Sequence, residues 1–238
     1  MAKNHQFVGL ELDLFAYVTN WKAYIRSEIG HYIKGHVLEV GAGIGGMTSI
    51  LFSGREKSWT CLEPEKDLFN RLTKTLDNSP SKKFEFPKAI QGNIDYPDLD
   101  RKFDTILYAD VLEHIENDGL EVKKASQKLE KEGVLIVLAP AHQWLFSPYD
   151  DKVGHFRRYN KNQLIKIRPP GARLLRLRYL DSVGILASLG NKVILRAGIP
   201  TRNQIIMWNR LMVPLSRIFD SAFGYKIGKS IYIVWQKT

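Results

Sequence analysis

The sequence predicts an α/β protein built on a doubly wound, seven-stranded, mostly parallel sheet with helical additions. Three observations carry that expectation. Val37 to Thr48 reads Val-Leu-Glu-Val-Gly-Ala-Gly-Ile-Gly-Gly-Met-Thr, an aliphatic run that stops at glycines before the pattern turns helical. Phe103 to Asp118 holds a second buried run that breaks into polar residues. Short apolar runs also recur between helix-patterned segments, as βαβ units require. The glycines of the first stretch permit positive φ, and the first N–H groups of the following helix face the same spot, so a ligand is expected across this turn.

Gly41, Gly43 and Gly46 also satisfy the G-x-G-x-x-G of dinucleotide-binding folds. Glu39, two residues before the first glycine, separates the alternatives. A carboxylate inside that strand repels a pyrophosphate and favours a cationic ligand. The stretch resembles motif I of the class I S-adenosylmethionine (SAM) dependent methyltransferases, which have a Rossmann-like sheet and whose ligand carries a sulfonium, an ammonium and no phosphate. The resemblance implies SAM contacts at Glu39, Gly41, Ala42 and Gly43, with S-adenosylhomocysteine as product.

The chain has 238 residues and a net charge of +10. Its single cysteine, Cys61, excludes an intramolecular disulfide. The six histidines show no paired ligand spacing, so no metal is expected. Residues 1 to 30 lack the pattern of a signal peptide, and the longest apolar tract, Val183 to Gly190, falls short of the ~20 residues a spanning helix needs. A cytoplasmic protein is expected, with peripheral contact at the inner membrane face left open. Up to Asp150 there are 18 Lys and Arg against 22 Asp and Glu, giving −4; from Asp151 the count is 17 against 3, giving +14. That asymmetry suits a phosphorylated substrate, an anionic membrane or nucleic acid, or only a solvated face.

Leu10 to Gly35 carries Phe15, Tyr17, Trp21, Tyr24, Ile25, Ile29 and Ile33 at helical spacing. It reads either as a helix packed on the sheet or as a lid over the ligand that brings Trp21 to the substrate. Trp59 to Leu62 is the second strand, ending at Glu63-Pro64 before a helix from about Glu65 to Leu76. An acid at this strand tip accepts hydrogen bonds from ribose hydroxyls in both nucleotide-binding families. Phe84 to Ile90 holds the third strand, interrupted by Pro87. The methyltransferase resemblance places adenine contacts at Asn93 and Ile94.

Thr105 to Tyr108 is the fourth strand, and Asp110 to Ile115 follows at its carboxyl end, where open α/β sheets bind ligands. The run Asp-Val-Leu-Glu-His-Ile resembles the post-strand-four motif of small-molecule SAM methyltransferases. That adds Ala109, Asp110 and Val111 to the cofactor set, with His114 either a base or structural. A helix from about Leu120 to Leu129 leads through Lys131-Glu132-Gly133 to the fifth strand, Val134 to Leu138.

Residues 140 to 159 are too rich in His, Arg, acid and aromatic side chains for a plain connector. Their Leu-Phe-x-x-x-Asp-x-x-x-Gly-His-x-Arg-Arg-Tyr pattern resembles a bacterial subgroup of these enzymes, often associated with glycan or glycolipid pathways. On that match Asp150, His155, Arg157, Arg158 and Tyr159 carry over; for a hydroxyl acceptor, His155 with Asp150 as orienting partner would supply a base, Arg157 and Arg158 would hold a phosphate or carboxylate, and Tyr149 and Tyr159 are further candidate substrate contacts, the alternative being that these groups only staple the loop.

Asn160 to Ile167 reads as a helix, Leu174 to Tyr179 as the sixth strand and Lys229 to Lys237 as the seventh. About fifty residues lie between the last two. There Ile205, Trp208, Leu211, Met212, Leu215, Ile218 and Phe219 follow helical spacing, with Arg210 and Arg217 on a shared flank and Pro214 kinking or dividing the helix. This segment is a cap over the cleft or an interfacial helix at an anionic membrane. The expected organisation is a helical lid over residues 1–35, a SAM-binding core over 36–180, a basic cap over 181–228 and a last core strand over 229–238. The expected activity is methylation of a small molecule, O-directed, on a sugar, lipid-linked or phosphorylated acceptor. The alternatives are an NAD(P)-dependent oxidoreductase, whose only Tyr-x-x-x-Lys is Tyr225 to Lys229, and an RNA methyltransferase, for which no recognised RNA-binding motif is present.

Overall fold

A computed structural model describes residues 18–78, 87–99, 101–190 and 201–238. The element order is α1 (Thr19–Ile29), β1 (His36–Val40), α2 (Thr48–Leu51), β2 (Ser58–Glu63), α3 (Lys66–Asp77), β3 (Lys88–Gln91), β4 (Phe103–Ala109), α4 (Asp118–Gln127) and β5 (Leu129–Pro140). It continues with α5 (Pro148–Val153), α6 (Lys161–Lys166), β6 (Ala172–Leu180), α7 (Gly184–Gly190), α8 (Arg202–Met207), a π-helical turn (Trp208–Met212), α9 (Val213–Ala222) and β7 (Ser230–Lys237).

Among the described residues seven strands form one sheet, ordered β3-β2-β1-β4-β5-β7-β6. β7 enters antiparallel between β5 and β6, and the β1 to β5 pairings are parallel. The order reverses between β1 and β4, so the loops after those strands open a crevice at the carboxyl edge. Both faces of the central strands are covered, which is why Val37, Leu38, Ile106 and Leu107 are all fully buried. On one face α1 lies on the sheet, and Glu28 accepts from Arg178 Nη1 at 2.8 Å and from Tyr232 Oη at 2.9 Å.

Three local expectations change. The glycine turn is followed by a helix of only four residues, Thr48–Leu51, so its helix terminus has little to offer a ligand. Lys131-Glu132-Gly133 is not a loop before β5 but lies within that strand, where the pairing register with β4 shifts between Phe103 and Thr105. β3 begins only at Lys88, after Pro87. Residues 84–86, like Phe15, Tyr17 and the rest of 1–17 and residues 191–200 of the insertion, lie outside the described residues.

The insertion helix buries only part of its spaced apolar set. Its buried positions are Ile205, Trp208, Asn209, Val213, Ser216 and Asp220, whereas Leu211, Leu215, Ile218 and Phe219 are exposed. Pro214 lacks an N–H, and the backbone ahead of it relaxes into the π turn, which shifts the phase of α9 relative to α8. Polar bonds fix the result. Trp208 Nε1 and Ser216 Oγ each donate to Asp181 at 2.6 Å, and Trp21 N donates to Asn209 Oδ1 at 3.1 Å. Asp220 accepts from Tyr24 Oη at 2.9 Å, Asp181 N at 2.6 Å and Ser182 N at 2.9 Å. Replacing Asp220 by Ala strands three buried donors, and we expect urea denaturation to show a loss of about 2–4 kcal/mol; an unchanged midpoint would mean the insertion is not held through this carboxylate.

Candidate active site

The carboxyl edge of β1, β2 and β4 opens into a cavity of about 800 Å³. Glu39, Gly41, Ala42 and Gly43 line it from β1 and its turn, Glu63 and Pro64 from β2, and Ala109, Asp110 and Val111 from β4. Trp21 and Lys22 of α1 close one side, and His114, Tyr149, His155 and Arg158 face it from the loops after β4 and β5. Asn93 and Ile94 do not line this wall. Asn93 Oδ1 is spent on the turn, accepting from Asp95 N at 3.0 Å, and Ile94 is buried in the core with Val40 and Leu62.

The turn is shaped by packing as much as by any ligand. Gly41 has φ +69°, and a Cβ there would fall 2.6 Å from Val111 Cγ2, so glycine lets the loop after β4 close against the turn. Behind it, Glu39 Oε2 accepts from Thr48 Oγ1 at 2.7 Å and Trp59 Nε1 at 2.9 Å. Burial raises the Glu39 pKa from 4.5 to about 7 against those bonds. Glu63 Oε2 accepts from Gly43 N at 2.8 Å and Oε1 from Glu65 N at 3.0 Å, leaving each oxygen a further acceptor site. Burial raises its pKa as well. Asp110, held at φ +55°, is raised to about 6 by burial, with the Lys229 charge opposing the shift.

The loop after β5 is organised by Asp150, which is fully buried. It accepts from Ser147 N (2.8 Å), Ser147 Oγ (3.0 Å), His155 Nδ1 (2.8 Å), Arg158 Nε (2.8 Å) and Arg158 Nη2 (3.0 Å). Burial opposes ionisation, yet the His155 and Arg158 contacts win and hold its pKa at about 2. Asp150 therefore acts behind the wall rather than in it. His155 directs Nε2 toward Glu113 Oε1 at 3.8 Å, and its ring meets His114 edge-on at 4.6 Å. Burial, and then the neighbouring His155, lower the His114 pKa to about 4, so it is neutral at pH 7.

Two predicted substrate ligands turn away from the cavity. Arg157 pairs with Asp118 at 2.8 Å and donates to Ile115 O and Glu116 O at 3.0 and 2.7 Å. Tyr159 Oη donates to Asp118 Oδ2 at 2.8 Å. Both staple the loop after β5 onto the loop after β4, so Arg158 alone of the arginine pair reaches the cavity. Sequence reasoning missed Glu113, Lys22, Trp208 and Lys229, all of which line it. Lys229 sits 3.7 Å over the Trp208 ring and 3.5 Å from Asp181 Oδ2. Glu113, His114 and His155 bring ligand-type atoms within 4.8 Å of one another, a grouping that sequence spacing conceals because it joins two loops.

Residues 38–135 match the family model described as a methyltransferase domain. No curated protein matches the chain. Among solved structures, a S-adenosylmethionine-dependent methyltransferase from Clostridium acetobutylicum is 12% identical with TM-score 0.57, covering 92% of this chain and 91% of its own. The N-methyltransferase NodS from Bradyrhizobium japonicum, in complex with S-adenosyl-L-homocysteine, is 12% identical with TM-score 0.56 over 90% and 84%. Coclaurine N-methyltransferase, bound to N-methylheliamine and the same product, is 14% identical with TM-score 0.57 over 89% and 70%. At these identities the likeness is one of fold.

The raised Glu39 pKa has a thermodynamic consequence. Because its folded value lies above the ordinary 4.5, the stability it confers when protonated is complete below that pH and is lost as pH rises through about 7. The loss amounts to ~3 kcal/mol. Thermal melts of Glu39→Gln from pH 4 to 8 should lack this component; a slope identical to that of the unmodified chain would show that Glu39 is not buried as described.

Proposed function

We propose that this SAM-dependent methyltransferase, whose domain match spans β1 to β5, methylates a hydroxyl of a sugar, lipid-linked or phosphorylated small molecule in the cytoplasm or at the inner membrane face. The cavity residues fit the cofactor. Glu63 keeps acceptor capacity for a nucleoside diol, Glu39 and Asp110 favour fixed positive charge, and Lys22 lies beside the glycine turn, where a Cβ on Gly46 would come within 3.3 Å of its Nζ. A cation there suits the carboxylate of an amino-acid moiety. When bound, SAM supplies a methyl group on a positively charged sulfur. The chain's own part is then to hold an acceptor in line with that group, and positioning alone reaches effective molarities of ~10⁵–10⁸ M.

The observation that carries the acceptor side is the 2.8 Å bond between His155 Nδ1 and Asp150, made at the wall of the cavity that Glu39 and Glu63 also line. With Nδ1 tied to a carboxylate, Nε2 is the nitrogen left to receive a proton from an acceptor hydroxyl. Arg158, locked by Asp150, and Lys229 supply positive charge for an anionic substituent. Trp21 and Trp208, whose rings lie 5.7 Å apart, shield the space from water as lid and cap.

The subgroup suggested by the loop after β5 belongs to the same proposal. An amine acceptor is a second reading, favoured by Glu113, whose buried carboxylate would bind an ammonium group and take the proton that leaves before the nitrogen lone pair accepts the methyl group. The oxidoreductase alternative loses ground because Tyr225 is stacked under the Arg178 guanidinium, 3.8 Å from its ring centre, and is absent from the cavity wall that Lys229 lines.

Labelled methyl transfer from SAM into lipid, sugar and RNA extracts tests the acceptor class. We expect incorporation into the lipid or sugar fraction, and incorporation into RNA alone would contradict the proposal. On the acceptor so found, His155→Ala should lower turnover by about 10²–10⁴-fold while SAM affinity changes little. Unchanged turnover would remove the base assignment.

A further inference from the structure

The run from Arg202 to Ala222 buries polar side chains among its apolar ones and leaves a larger set of apolar side chains exposed. Ordinary surface helices bury an apolar stripe and expose charge. Here the inner face from the π turn onward carries Asn209, Ser216 and Asp220 beside Val213, while Met207, Leu211, Leu215, Ile218, Phe219 and Phe223 stand outward along one side. Leu211, Ile218 and Phe223 are 59%, 67% and 53% exposed. Exposed apolar residues are common singly, but a continuous stripe of this kind marks an interaction surface.

The charges beside it are of one sign. Arg202, Arg210, Arg217 and Lys226 are exposed, and the only acid between residues 201 and 227, Asp220, is fully buried. The stripe also begins at the cavity, since Met207 both lines it and is 51% exposed.

We propose that this outward face docks on an anionic lipid bilayer, its apolar stripe in the headgroup–acyl boundary and its arginines against lipid phosphates. Building on the methyl-transfer reading, this docking sets the cavity mouth beside a lipid-linked acceptor in the same leaflet. Charge complementarity selects the occupant. A second copy of the chain meeting this face about a two-fold axis would bring like cations together, whereas an anionic surface neutralises them. The +14 excess of residues 151–238 acts in the same direction. No helix among the described residues is long and apolar enough to cross a membrane, so the contact is with the surface of the bilayer.

Co-sedimentation of the full chain with phosphatidylcholine vesicles, with and without phosphatidylglycerol, tests the docking. The anionic vesicles should bind at least about 10-fold more protein, and added salt should release it. Leu211→Ser with Ile218→Ser, and separately Arg210→Gln with Arg217→Gln, should each abolish that preference while thermal melts and SAM calorimetry stay as in the unmodified chain. These residues are exposed, so both variants are expected to fold. Equal sedimentation with both vesicle types, or variants that bind as the unmodified chain does, would overturn the proposal. So would sedimentation equilibrium showing a dimer that the Leu211 and Ile218 changes dissociate, which would give the face to a second copy. SAM calorimetry on the same samples fails separately if the methyl-transfer reading is wrong.

Discussion

On the proposed reading, a carboxylate buried behind the glycine turn sets what the cavity accepts. Glu39 can be held inside the sheet because Thr48 and Trp59 donate to it, and with a pKa near 7 its charge is delicately poised. A pyrophosphate brought to this edge would meet Glu39, Glu63 and Asp110 in one cavity. A cation would instead favour the ionised form of each. The strand order that opens the crevice and the close fit of Gly41 against Val111 place these acids around one space.

On the same proposal, Asp150 serves the acceptor side as Glu39 serves the nucleoside side. It is not a surface carboxylate that a substrate could reach but a buried acceptor of five hydrogen bonds, which fixes both His155 and Arg158. Arg157 and Tyr159 meet Asp118 on the outside, so the loops after β4 and β5 are clamped together and His114, Glu113 and His155 converge. A loop carrying that many charged groups stays ordered because few of them are left to solvent.

Much of this was legible in the chain itself. β1, β2 and β4 are short, mainly apolar segments closed by glycine or acid, so strand ends and the acids near them, Glu39, Glu63 and Asp110, could be read directly. The Asp150–His155 bond also follows from the loop motif. What escaped depends on contacts between distant segments. Trp208 enters the cavity because the insertion folds back over the sheet, Lys229 because β7 runs antiparallel to β5 and so begins at the carboxyl edge, and Glu113 was hidden beside the more conspicuous His114. The two arginines of the motif read alike, yet backbone carbonyls at Ile115 and Glu116 claim one and Asp150 the other. Helical spacing identified the insertion helix but not which face turns inward, because a π turn before Pro214 shifts the phase and Asn209, Ser216 and Asp220 are satisfied by α1 and the loop after β6.

In the proposed reading, acids at neighbouring strand tips select a positively charged nucleoside without a phosphate. Isothermal titration of the protein with SAM and with NAD measures that selection directly. Saturable one-to-one binding of SAM, weakened by Glu63→Ala, with no heat from NAD, is the predicted result. Tighter binding of NAD than of SAM would contradict it.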